Sequence, residues 1–159
     1  MKKMTFFSRV GLGLTAALVL FGSAFAANIA PANYQFLIKG GGNLVQGNTI
    51  WACGWTLQML TTSPSGGTMS GGVGDTNPNC NLLSVASSTW SATSDTTGVF
   101  HGLRFSGGGI SCSTSADVPF TIMKSGNYAT SFFFNSVNFG SGCNFNANLN
   151  TAAALTVTP

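Results

Sequence analysis

The stretch Cys-Asn-Phe-Asn-Ala-Asn-Leu-Asn, residues 143–150, alternates without a break. Cys143, Phe145, Ala147 and Leu149 hold the odd positions; Asn144, Asn146, Asn148 and Asn150 hold the even ones. Side chains two apart share one face of an extended chain, so the stretch reads as a β-strand with one apolar face and one amide face. The same period runs through residues 51–59, with Trp51, Cys53, Trp55, Leu57 and Met59 against Ala52, Gly54, Thr56 and Gln58. Cys53 and Cys143 therefore sit on the apolar parity of their strands, and Ile110 and Cys112 share a parity as well.

The rest of the chain fits an all-β class. It has no Glu, few Lys and Arg, and 21 Gly spread throughout. Short runs rich in Val, Ile, Thr, Phe and Trp are separated by Gly, Ser, Asn and Pro clusters, the pattern of a sandwich or barrel. Further strands are expected over 34–39, 68–73, 82–90, 98–105, 118–123, 129–139 and 155–158. Turn chemistry marks 62–67, 74–79 and 125–127. Phe132, Phe133 and Phe134 are apolar on both parities, which suits a central strand better than an exposed edge. The expectation is one disulfide-stapled antiparallel β-sandwich of the jelly-roll or immunoglobulin-like class over residues 34–159. Residues 27–33 read as a flexible N-terminus.

Residues 1–26 read as a cleaved secretory signal peptide forming a helix. Lys2, Lys3 and Arg9 precede the apolar run 10–21, and Ala24 and Ala26 supply the small residues that a signal peptidase reads. The run is short for a membrane span, which needs about 20 apolar residues, and no other long apolar run follows. The leader also holds half of the six basic residues. What remains is Lys39, Arg104 and Lys124 against Asp75, Asp95 and Asp117, a net charge of zero. A basic patch able to release counterions from phosphates is missing, so no nucleic-acid partner is expected. A neutral surface made of amides and hydroxyls favours self-association.

An even number of cysteines in an exported chain favours disulfides. Close ligand pairs of the zinc type are absent and the chain has one His, so no metal and no cofactor is expected. Cys53 to Cys80-Asn81-Leu82 and Cys112 to Cys143-Asn144-Phe145 look like two weakly similar halves. That pattern favours Cys53–Cys80 and Cys112–Cys143 among the three possible pairings.

No catalytic constellation is legible. His101 shares parity with Val99, Leu103 and Phe105, a mostly apolar face, and no orienting partner is evident, so it reads as a packed structural residue. Asp75, Asp95 and Asp117 suit turn positions. Residues 75–79 place oxygen ligands at alternate positions, as a calcium loop does, but lack further carboxylates. Trp51 and Trp55 read as core beside Cys53, whereas Trp90 stands as a possible ligand platform. The four asparagines of residues 144–150 read as a solvated face, or as an amide ladder engaging a second copy.

The order of these features resembles a bacterial family, the secreted alkane-oxidation protein activators of the PraA/PraB type. The resemblance rests on Ala24-Phe25-Ala26, on Cys80-Asn81-Leu82-Leu83 with Trp90 beyond, on Gly107-Gly108-Gly109-Ile110-Ser111-Cys112, and on Gly142-Cys143-Asn144-Phe145. The Trp51–Trp55 segment and the Phe132–Phe134 run depart from the Thr/Val-rich pattern of that family. The resemblance implies a non-enzymatic exported protein that helps growth on alkanes and acts as an adhesin or biofilm-matrix component. Its expected partners are further copies of itself and hydrophobic surfaces or substrates. Two other classes stand beside it: a pilus-type subunit assembled by strand donation, and a carbohydrate-binding module or small secreted hydrolase.

Overall fold

The computed structural model describes residues 27–74, 78–139 and 142–159. The expected signal helix over 1–26 and the Asp75-Thr76-Asn77 part of the weighed calcium loop lie outside the described residues. Among the described residues, thirteen strands and one 3-10 turn follow in order: β1 (Asn28–Ala30), β2 (Gln35–Gln46), β3 (Thr49–Ser63), β4 (Gly66–Gly74), the turn Cys80–Leu82, β5 (Ser84–Val85) and β6 (Ser88–Ala92). Then come β7 (Thr97–His101), β8 (Arg104–Gly107), β9 (Ile110–Ser113), β10 (Asp117–Ser125), β11 (Tyr128–Asn138), β12 (Cys143–Thr151) and β13 (Thr156–Thr158).

The all-β reading holds, but the sandwich does not. Strands run in the order β3-β2-β12-β11-β10-β7-β6-β4, and β4 then pairs back onto β3, closing an eight-stranded antiparallel barrel. Closure depends on the length of β3. It pairs with β2 from Thr49 to Leu60 and with β4 from Trp55 to Ser63, so both its edges are used. The glycines of β4 let that strand lie close: a Cβ at Gly67 would overlap the Leu60 carbonyl. Period-2 alternation is the same in a sandwich and in a barrel, because a barrel is one sheet closed on itself. The sequence pattern therefore could not choose between them.

Inward positions fill the barrel. Phe36, Trp55, Phe100, Phe120, Phe132, Phe134 and Phe145 are all buried, with Ile38, Leu44, Leu57, Met59 and Leu149 between them. Phe134 lies 5.2 Å from Phe145 and 5.8 Å from Phe100, ring centre to ring centre. An eight-stranded barrel is just wide enough for such side chains, and here they occupy it. β11 is flanked by β10 and β12, so the phenylalanine run lies on a central strand.

Each end of the barrel carries an additional piece of sheet. At one end, β4 extends into β5, β8 and β9. This flap sets Phe105 against Trp55, Phe139 and Phe145, at 5.3, 5.3 and 4.8 Å. Cys53 is bonded to Cys80 and Cys112 to Cys143. The first bond ties the 3-10 turn to β3 and the second ties β9 to β12, so both bonds pin the same flap. At the other end β1 pairs with β13, register Asn28↔Thr158, and Ile29 and Val157 are buried. Residues 27–33, expected to be loose, are thus anchored in part by β1. The reason is a ladder partner in β13, far away in sequence, which no local pattern reveals.

Candidate functional surface

With the interior filled, the chemistry open to solvent lies on the outer wall. The amide face of β12 is one part of it. Asn148 and Asn150 are exposed, whereas Asn144 and Asn146 are half-buried. Asn144 Nδ2 donates to the Ser136 carbonyl at 3.0 Å, and Asn146 Nδ2 to Ser136 Oγ at 3.5 Å. Ser136 sits in the register shift between Phe134 and Val137 with φ +50°, which turns it toward these amides. β12 is hydrogen-bonded to β11 on one side and β2 on the other. The asparagines can therefore engage a second molecule only through their side chains, not by adding a strand to an edge.

Beside Asn148 the wall flattens. The Gly40–Gly42 run of β2 faces Gly54 of β3, with Gly41 opposite Gly54. A shallow depression of about 540 Å³ results, rimmed by Lys39, Asn43, Ala52 and Thr56. Trp55 closes it from beneath, its Nε1–H donating to the Gly42 carbonyl at 3.3 Å.

Trp90 is not a platform. It is 2% exposed and packs edge-on against Phe36 at 6.4 Å. The 82–90 stretch, expected as one strand, breaks into the 3-10 turn, β5 and β6, and the break fixes Trp90 inward. The reading of His101 changes in the opposite direction. Gly102, at φ +72°, ends β7, so the parity of His101 does not continue into Leu103 and Phe105. Those two are buried, whereas His101 faces solvent.

On the outer wall His101 does have partners. Its Nδ1 lies 2.7 Å from Asp117 Oδ1 and its Nε2 lies 3.0 Å from Ser91 Oγ. The three residues come from β7, β10 and β6. His101 is directly opposite Asp117, and Ser91 opposite Val99, one pair along the same face. Sequence reasoning placed Asp117 in a turn and passed over Ser91. The signal that joins them is the register of three strands, which no local pattern contains. Asp95 pairs with Lys124 Nζ at 2.7 Å. Both aspartates among the described residues therefore have a basic or imidazole partner.

A filled, doubly covered antiparallel barrel with two disulfides and a polar, nearly uncharged wall defines the class. The match to known proteins narrows it. A family model described as alkane oxidation protein activator PraA/PraB-like matches residues 1–159, and the chain belongs to that family. No curated protein and no solved structure matches the chain.

Proposed function

We infer that this chain is an exported helper of alkane oxidation that works outside the cell, and that its part in alkane growth is physical contact and not catalysis. In this reading it acts at surfaces, as an adhesin or matrix component that holds cells against a hydrophobic substrate. The observation that carries the reading is the family match along the whole chain, since the family is named for activating alkane oxidation. The disulfides agree with an oxidising compartment. The filled interior also bears on the mechanism, because a carrier that encloses an alkane would need that space. This favours contact through the outer surface, where Leu37, Ile50, Met123 and Tyr128 of the strands and Leu82 of the 3-10 turn are exposed.

Strand donation receives no support, since every strand of the closed barrel already has two neighbours. The test is a strain lacking the gene, grown on a long-chain alkane and on a soluble carbon source. Slower growth and weaker attachment on the alkane alone, both restored by the secreted protein, is the expected result. Equal growth and attachment with and without the gene would remove this reading.

A further inference from the structure

The outer wall brings together the parts of an acyl-transfer site that neither the family name nor the sequence assigns. Ser91, His101 and Asp117 stand in line across three adjacent strands, with Ser91 Oγ 3.0 Å from His101 Nε2 and His101 Nδ1 2.7 Å from Asp117 Oδ1. In the tautomer this line requires, Nδ1–H donates to the carboxylate and Nε2 accepts from the serine hydroxyl. That is the role set of the serine–histidine–aspartate hydrolases, which is recognised by geometry and not by chain order. The side chains of His101 and Asp117 are 42% and 58% exposed, so a substrate can reach them without any part of the barrel opening.

A second feature adjoins the line. Val99, the direct partner of both Ser91 and Pro119, begins a shallow groove on the same wall. The groove encloses about 220 Å³ and is lined by Thr97, Val99, Pro119, Thr121 and Phe133. Its apolar members suit a short alkyl chain. Ser91 does not line the groove itself but adjoins its Val99 side through the Ser91–Val99 strand pair.

We propose that Ser91, His101 and Asp117 form an esterase site for carboxylic esters whose acyl chain lies in the Val99–Pro119–Phe133 groove. Ser91 Oγ bonds to the carbonyl carbon while its proton passes to His101 Nε2. The carbon–oxygen bond to the alcohol then breaks, and the alcohol leaves with that proton. Water attacks the acyl-serine, gives a proton to His101 and releases the acid, and His101 returns the proton to Ser91. Ester and water become acid and alcohol, with no change of oxidation state. Ser91 and His101 are the catalytic residues, and Asp117 is a positioning residue that fixes the imidazole tautomer.

The wall also limits the rate. β6 is hydrogen-bonded to β4 and to β7, so its backbone N–H groups are committed to the sheet. Thr89 is directly opposite His101 and exposed, so an oxyanion donor would have to come from a side chain such as its hydroxyl or from water. Losing one preorganised donor costs about 10²–10³ in rate in dedicated hydrolases. A slow enzyme acting on activated or surface-presented esters is therefore expected. This activity is independent of the role in alkane growth.

The test uses the mature, disulfide-bonded protein with p-nitrophenyl butyrate, and a fluorophosphonate probe located by peptide mass spectrometry. The expected result is a single adduct on Ser91 and hydrolysis above the buffer rate. Ser91→Ala and His101→Ala should each lower kcat/KM at least tenfold without moving the unfolding midpoint. Asp117→Asn should lower kcat and leave KM unchanged, whereas Phe133→Ser should raise KM and leave the adduct in place. An adduct at another residue, hydrolysis by Ser91→Ala equal to the parent, or no hydrolysis at all would overturn the assignment.

Discussion

Single residues decide how this wall and this core are divided. Trp90 is the clearest case, because its side chain fills the barrel and does not meet solvent. Replacing a buried aromatic by Ala leaves a cavity as well as losing transfer energy, typically about 3–5 kcal/mol. Trp90→Ala should therefore lower the unfolding free energy by that amount in a urea titration. Its effect on any surface interaction should be no greater than its effect on folding. Gly98 makes the complementary point. It lies opposite Phe120, and a Cβ there would overlap the Phe120 ring and come within 2.8 Å of the Ser91 carbonyl. Overpacking of this kind costs about 1–3 kcal/mol, so Gly98→Ala should lower the unfolding midpoint although Ala suits a strand better than Gly. At this scale the sequence was legible wherever a strand was long and regular. Cys143, Phe145 and Leu149 point inward as their parity requires. It was misleading at His101, where one glycine with positive φ ended the strand and detached the residue from its apparent apolar face.

At the scale of elements the alternation located the long strands and left their partners open. β3 and β12 were readable because apolar and polar positions alternate over residues 51–59 and 143–150. The 98–105 stretch was read as one strand and is two, β7 in the barrel and β8 in the flap. The flap itself shows why two disulfides are present. β5, β8 and β9 are two to four residues long, and strands so short have few ladder bonds to hold them. A bond closing a loop of 27 or 31 residues contributes about 3–4 kcal/mol in the chain-entropy model. Replacing Cys112 and Cys143 together by Ala should lower global stability by about that much. Because the bond ties β9 to β12, amide exchange in residues 104–113 should rise first and most, followed by mass spectrometry. Protection in β10 and β11 should fall only with the global stability. Uniform loss of protection across all strands would show instead that flap and barrel open together.

For the molecule as a whole, the contacts that complete the fold join residues far apart in the chain. The barrel closes through β3 and β4, which are neighbours in sequence, but its wall is continuous only because β12 lies against β2. The line of Ser91, His101 and Asp117 exists only because this closure fixes the registers of β6, β7 and β10. That is why the composition and the alternation, which gave the class of fold, gave no hint of the site. The β1–β13 pair is the longest-range of these contacts, and Ala27, Ile29, Leu155 and Val157 are each 3% exposed or less. Full burial of a side chain such as Ile29 is worth about 1.5–3 kcal/mol, and the ladder at Asn28, Ile29 and Ala30 adds to it. A protein beginning at Pro31 in place of Ala27 should therefore be less stable by about 3 kcal/mol, read as a lower denaturation midpoint with the disulfides intact. The loss should be matched by Ile29→Ser in the protein that begins at Ala27, since both expose the same apolar end of the barrel. An unchanged midpoint in both variants would mean that β1 lies outside the cooperative unit, and that β13 and the loops around Leu155 cover that end without it.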